Sequence, residues 1–190
     1  PEEDKPLKGK TIALDAASGE DDSYEGKGPG GLREGEANLK IVLELEMLLK
    51  EAGAKVFLTR TGKKHINLSE RAEIANGMKP DFFISICQSV FPNGSASGTE
   101  AYHYREDKEA AKLGSMILEE ISPEMKCRNR GLRTADLYIL KEVKCSTLQL
   151  NILYITNPED EKKLADPDMR RKAARAIERG IIRYYGQMGK

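Results

Sequence analysis

Leu148–Asp160 reads LQLNILYITNPED, and this stretch decides the fold. Leu148, Leu150, Ile152 and Tyr154 alternate with Gln149, Asn151, Leu153 and Ile155, and Thr156-Asn157-Pro158 ends the run. A mostly apolar run of this length, closed by Asn-Pro, predicts a buried strand that feeds a helix. Gln149 and Asn151 sit in the middle, where only apolar residues are expected. A buried amide without partners costs roughly 1–3 kcal/mol. Two readings stand open: Asn151 bonds nearby backbone at a strand end, or it points from the strand end into a pocket.

Working outward, short apolar strands alternate with amphipathic helices. Lys10–Asp15, Ala54–Thr61, Phe82–Ile86 and Gly98–Tyr104 read as strands. Glu34–Gly53 reads as a helix, with Leu39, Val42, Leu43, Leu45, Leu48 and Leu49 forming an apolar stripe and Gly53 its stop. Asn67-Leu-Ser-Glu70 is a capping box that opens a helix to Asn76. Lys108–Ile121 and Pro167–Tyr185 carry apolar residues at helical spacing, and a short helix starts at Pro158. The pattern predicts a single α/β domain, with a mixed sheet of about six strands and helices on both faces. Residues 1–9 are expected to be a linker tail, 10–186 the domain and 187–190 a C-terminal tail. The loop Ala16–Gly35 is long and charged, as recognition loops often are.

The bulk numbers set limits. The 190 residues suffice for one sizeable core. Thirty-one Lys and Arg balance 31 Asp and Glu, so no nucleic-acid partner is expected. No apolar run reaches the roughly 20 residues of a membrane span. Cys87, Cys127 and Cys145 fit no disulfide framework or zinc spacing. His65, in a loop, is expected to be solvated, and His103 to be a strand-face residue. The chain opens on Pro1, so a signal or anchor segment is expected outside it.

Several segments resemble the zinc-dependent N-acetylmuramoyl-L-alanine amidases, which cut the bond between muramic acid and the first alanine of the peptidoglycan stem. Leu58-Thr-Arg-Thr-Gly62, Leu68-Ser-Glu-Arg-Ala-Glu-Ile-Ala-Asn76, Gly98-Thr-Glu-Ala-Tyr102, Asn129-Arg-Gly-Leu-Arg133 and Asn157-Pro-Glu-Asp160 match that family in its order. The match runs from about Lys10 to Tyr185. The resemblance implies the α/β amidase fold, a zinc held by His, Glu and His, and a catalytic Glu on the last strand. Here Ser18 stands at the first His position, in Asp15-Ala-Ala-Ser-Gly-Glu20 against D-P-G-H-G-G. Cys87 stands at the second His and Asn151 at the catalytic Glu. Glu34 keeps its ligand position, four residues before Asn38-Leu39, though a Glu in a first helical turn is also favoured by the helix dipole.

One of four chemical positions therefore survives. The expectation is a degenerate member, an inactive pseudoenzyme with no metal and no working catalytic residue. Its cleft of Asp15, Ser18, Glu34, Cys87 and Asn151 is expected to bind a peptidoglycan fragment or a cell-envelope protein, outside the cytoplasm in envelope or spore. The alternative is a residual amidase, in which Cys87 and Glu34, with Asp15, make a different metal site, or Cys87 acts as nucleophile.

Overall fold

The computed structural model describes residues 5–188. It holds six strands, β1 (Thr11–Ala16), β2 (Lys55–Leu58), β3 (Phe82–Ser89), β4 (Thr99–His103), β5 (Asn129–Thr134) and β6 (Ser146–Tyr154). The helices are α1 (Glu34–Glu51), α2 (Leu68–Met78), α3 (Lys108–Glu124), α4 (Tyr138–Glu142), α5 (Pro158–Ala165) and α6 (Pro167–Met188). The strands form one sheet in the order β2-β1-β3-β6-β4-β5. β1, β2, β3 and β6 run parallel, β4 is antiparallel to β6, and β5 is parallel to β4.

β3 and β6 lie at the centre and are covered on both faces, which is why their sequences are nearly continuous apolar runs. On one face Ile12, Leu14, Ile84, Ile86, Leu148, Leu150 and Ile152 pack against α1, α3 and α6. On the other, Ala13 and Phe83 meet Ala72 and Ala75 of α2 and Ile139 and Leu140 of α4. α3 and α6 cross closely at Gly180, where an added Cβ would stand 2.8 Å from the Ile117 Cα. The N-cap half of the expected capping box is present at α2: the Asn67 side chain accepts from the Glu70 N–H at 2.9 Å.

Two expectations change. β2 is shorter than Ala54–Thr61, because Thr59 and Arg60 leave the strand to serve a polar network below it. The expected tail at residues 1–9 is split. Residues 1–4 lie outside the described residues, as do 189–190 of the C-terminal tail. Leu7, however, is a core residue with no exposed surface. Its N–H donates to the Ala52 carbonyl at 2.9 Å, and its own carbonyl accepts from Lys10. The segment folds over the α1–β2 turn, and charged neighbours on both sides hide this single apolar anchor from a composition argument.

Leu7→Ala should therefore destabilise the domain by about 2–4 kcal/mol, the range for emptying a buried leucine site. Urea unfolding of wild type and variant measures it. A change below about 0.5 kcal/mol, the size of an ordinary surface substitution, would place the segment outside the cooperative unit.

Candidate functional site

The site lies beyond the carboxyl ends of the parallel strands, where open α/β sheets leave a crevice. It is built from two buried arginines outward. Arg71 of α2 is the largest fully buried side chain among the described residues. Its guanidinium donates to the Asp15 carboxylate at 2.6 Å, and to the carbonyls of Ala16 at 2.7 Å, Ser18 at 2.9 Å and Ile66 at 2.9 Å. Arg60 donates to the carbonyls of Ala16, Ala17, Gly35 and Gly62. Burial and the neighbouring Arg71 charge lower the Arg60 pKa. Together the two guanidinium groups satisfy a run of carbonyls that leaves the sheet and has no strand partner. Asp15 also accepts from the hydroxyls of Thr59 at 2.5 Å and Ser85 at 2.6 Å.

This frame turns the chain sharply at Ser18, whose φ is 60°. That is the left-handed region, which a residue other than glycine occupies only where its surroundings hold it. Gly19 follows. An added Cβ there would meet the His65 backbone at 2.7 Å, so the two loops touch main chain to main chain.

Asp15, Ser18, Glu34 and Cys87 wall one cavity of about 770 Å³, with Gln88, Gln149, Asp22, His65 and Tyr24. The expected convergence holds for these four. Asn151 differs. It is the Cα partner of Cys87 across β3 and β6, yet it walls no part of this cavity. Its amide donates to the Ser89 hydroxyl at 2.8 Å, and its carbonyl oxygen accepts from Gln149 at 3.1 Å. Those two bonds hold it away from the cavity, and Gln149 takes the wall position. His65 also departs from expectation: it lines the cavity, with Nδ1 3.4 Å from the Asp22 carboxylate. His103 is buried on its strand, its Nδ1 2.7 Å from the Tyr104 carbonyl.

Glu34 opens α1, but its carboxylate faces inward. It accepts from the N–H groups of Gly26 at 3.1 Å and Gln88 at 3.0 Å, with the Asn38 amide at 3.4 Å. Burial raises its pKa; the bonds from Gln88, Gly26, Asn38 and Ser18 pull the other way and offset only part of this. The Cys87 thiol lies 3.6 Å from the Ser85 hydroxyl. Burial pushes that thiol well above its usual range, and the Glu34 charge pushes further.

The residues present do not fit the zinc that the resemblance implies. Zinc wants thiolate, imidazole or free carboxylate donors in a tetrahedron. Here Ser18 offers a neutral hydroxyl, Cys87 and Glu34 alone carry zinc-type donor atoms at the three ligand positions, and both Glu34 oxygens already accept hydrogen bonds from N–H groups. Among the described residues no three His, Cys, Asp or Glu side chains are placed to hold a metal ion.

The Glu34 shift has a sign that can be tested. A raised folded pKa means that the native state holds this proton more tightly than the unfolded chain. The contribution is full below the usual value near 4.5 and is lost as pH rises through the raised value. Thermal melts between pH 4 and 7 should thus show wild type losing stability relative to Glu34→Gln as pH rises. A difference that is flat with pH would assign Glu34 an ordinary pKa.

Comparison with known proteins agrees with this fold. The family model for N-acetylmuramoyl-L-alanine amidase matches residues 12–183. The chain is 33% identical over 185 residues to the uncharacterized protein YqiI of Bacillus subtilis, covering 96% of this chain and 88% of that protein. It is 33% identical over 183 residues to the N-acetylmuramoyl-L-alanine amidase LytC of the same organism, covering 95% of this chain but only 36% of LytC. Among solved structures, the CwlD amidase from Clostridioides difficile, in complex with the GerS lipoprotein, superposes with a TM-score of 0.88 at 26% identity, covering 94% of this chain and 99% of that one. The chain belongs to the N-acetylmuramoyl-L-alanine amidase family.

Proposed function

We propose that this chain is an inactive amidase domain, whose cleft binds a peptidoglycan fragment or a cell-envelope protein without cutting it. Asn151 carries the reading. It occupies the family's catalytic Glu position, and an amide cannot take and return a proton at neutral pH. Loss of a positioned acid–base group alone removes about 10²–10⁴-fold. Loss of zinc removes the activated water as well. Ser18 and Cys87 at the two His positions leave no imidazole pair to hold the metal.

A cysteine-based hydrolase is the weaker reading. A nucleophilic thiol must be ionised by a neighbouring base or cation. Cys87 has instead the Ser85 hydroxyl at 3.6 Å and the Glu34 charge, and both burial and that charge favour the thiol.

The cleft itself has the form of a binding site. Its floor is polar, while Tyr24, Leu68 and Tyr138 on its rim are exposed. Tyr24 is 93% exposed, which is unusual for an aromatic side chain without an occupant. Aromatic rims over polar floors suit ligands that combine ring faces with hydrogen-bonding groups. Peptidoglycan lies outside the cytoplasmic membrane, so we place the domain's action there, in envelope or spore. CwlD was solved in complex with a lipoprotein, which supports a protein partner as a second concrete candidate.

Two outcomes test the proposal. Purified protein should carry no stoichiometric zinc by elemental analysis and release no stem peptide from muropeptides, while binding them by calorimetry. One zinc per chain that is lost on Cys87→Ser, or measurable turnover, overturns it. The second test restores the site. Ser18→His with Cys87→His should recover part of the zinc affinity, because histidine is among the residues that tolerate the left-handed backbone at position 18. Adding Asn151→Glu should give only weak hydrolysis, since Asn151 is turned toward Ser89 and the hydrogen-bond partners that orient a metal's ligands alter its affinity by about 10–100-fold. Competition titration reads the affinity. A double variant that folds normally and binds zinc no better than wild type would show that positions 18 and 87 do not face Glu34 productively.

A further inference from the structure

The sheet face that walls the cavity continues past β6. Asp15, Ser85, Gln149, Tyr102 and Arg133 are successive Cα partners on β1, β3, β6, β4 and β5. One step along the sheet, Cys87, Asn151 and Glu100 are partners on β3, β6 and β4. Partnered residues direct their side chains to the same face. Asp15, Ser85, Cys87 and Gln149 wall the cavity, so both rows run out of it onto β4, and the first runs on to β5. With strands about 4.8 Å apart, Arg133 lies about 14 Å from Ser85, a distance that an extended ligand spans.

The two ends of this floor differ in charge. At the cavity end the Arg71 charge is matched by Asp15, which leaves Glu34 and, beside His65, Asp22. At the far end two guanidinium groups share one carboxylate. Glu100 is buried, and its Oε1 accepts from the hydroxyls of Ser89 at 2.7 Å and Tyr154 at 3.0 Å. Its Oε2 has no hydrogen bond. Arg130 Nε stands 3.6 Å from that oxygen and also has none, while the Arg130 guanidinium lies over the Tyr154 ring at 5.2 Å. Arg133 is 3.9 Å from the same oxygen, beyond hydrogen-bond reach, with 52% of its side chain exposed. Nearby Arg105 and Asp136 pair with each other at 3.3 Å and leave this balance unchanged. One positive charge is left over, and its most accessible carrier is Arg133. A guanidinium presents a planar fork that matches a carboxylate.

We propose that Arg133, with Arg130 and Tyr102 beside it, forms a carboxylate-binding subsite at the β5 end of the cleft, reading the acidic end of an extended ligand whose other end lies in the cavity. This rests on the binding function proposed above. The acidic cavity end repels a carboxylate and the guanidinium end attracts it, so charge alone sets the direction in which the ligand lies.

The experiment compares two probes by calorimetry. One is a muramoyl peptide whose stem ends in a free carboxylate. The other is the same compound with that group converted to the carboxamide. Wild type should prefer the carboxylate by about tenfold, the scale of one charged hydrogen bond, and added salt should shrink the preference. Arg133→Ala, at an exposed position, should abolish the preference by weakening the carboxylate probe much more than the carboxamide. Arg133→Lys should retain part of it, and Arg133→Glu should reverse it. Equal binding of both probes to wild type, or a preference that survives Arg133→Glu, overturns the subsite and leaves the cleft reading standing. Binding of neither probe overturns the cleft reading for peptidoglycan fragments, and the subsite with it.

Discussion

The ion pair between Asp15 and Arg71 is the contact on which the site depends. Both side chains are essentially buried, 2.6 Å apart. Removing one partner of such a pair leaves a bare charge in the interior and typically costs 3–5 kcal/mol. The pair is more than a local clamp. Asp15 ends β1, Arg71 stands on α2, and the same guanidinium holds the carbonyls of Ala16 and Ser18. The route of the chain out of the sheet is thus set by donors on other elements, as a loop that leaves its strand partners requires. Arg60 repeats the device from the end of β2, binding Ala16, Ala17 and Gly35. The start of α1, and with it Glu34, is held to the same frame.

A division of labour follows. The residues that shape the site are those of the amidase pattern: Asp15, Arg60, Arg71, Asn157 and Asp160. Asn157 caps α5, accepting from the N–H groups of Glu159 and Asp160. Asp160 accepts from the N–H groups of Gly98 and Tyr154, tying the end of β6 to the start of β4. Of the four positions to which the resemblance assigns chemistry, Glu34 is kept and three differ. Ser18, Cys87 and Asn151 each fit their new surroundings through ordinary contacts: a turn, a buried thiol, a hydroxyl bond. Fold and chemistry rest on different side chains, so the second can lapse while the first stands.

How far the sequence was legible follows from the same division. The sheet, its main helices and the shared wall of Asp15, Ser18, Glu34 and Cys87 were readable, because periodicity and the motif spacing both point at strand ends. Asn151 was placed correctly on its strand, but the direction of its side chain was not readable. That direction depends on Ser89, 62 residues away, and on the β3 irregularity between Cys87 and Ser89. His65 looked like a solvated loop residue, since nothing local shows that residues 19–22 lie against it. Leu7 looked like part of a tail, because one apolar residue among charges carries no period. Arg60 and Arg71 carry a signal of their own in the sequence. A charged residue within an apolar helical stripe, or directly after a strand, has to find partners if it is buried.

The unspent polar groups of this cleft finally bear on why it remains open. Ser18 is held in left-handed backbone, Glu34 is a carboxylate whose burial opposes its own ionisation, and Glu100 Oε2 lacks a hydrogen bond. Each opposes stability, and a buried ionic group is often replaced by apolar side chains without loss. Packing alone therefore gives no reason for this arrangement. Strain and incomplete polar pairing gather where a protein meets something else, because there the missing partners are supplied from outside. In this chain Ser18, Glu34, Glu100 and Arg130 lie along the proposed cleft, whereas the unbonded Tyr185 hydroxyl and the left-handed Lys79 and Lys126 lie elsewhere. Only the first group is of the kind that the proposed binding function would account for.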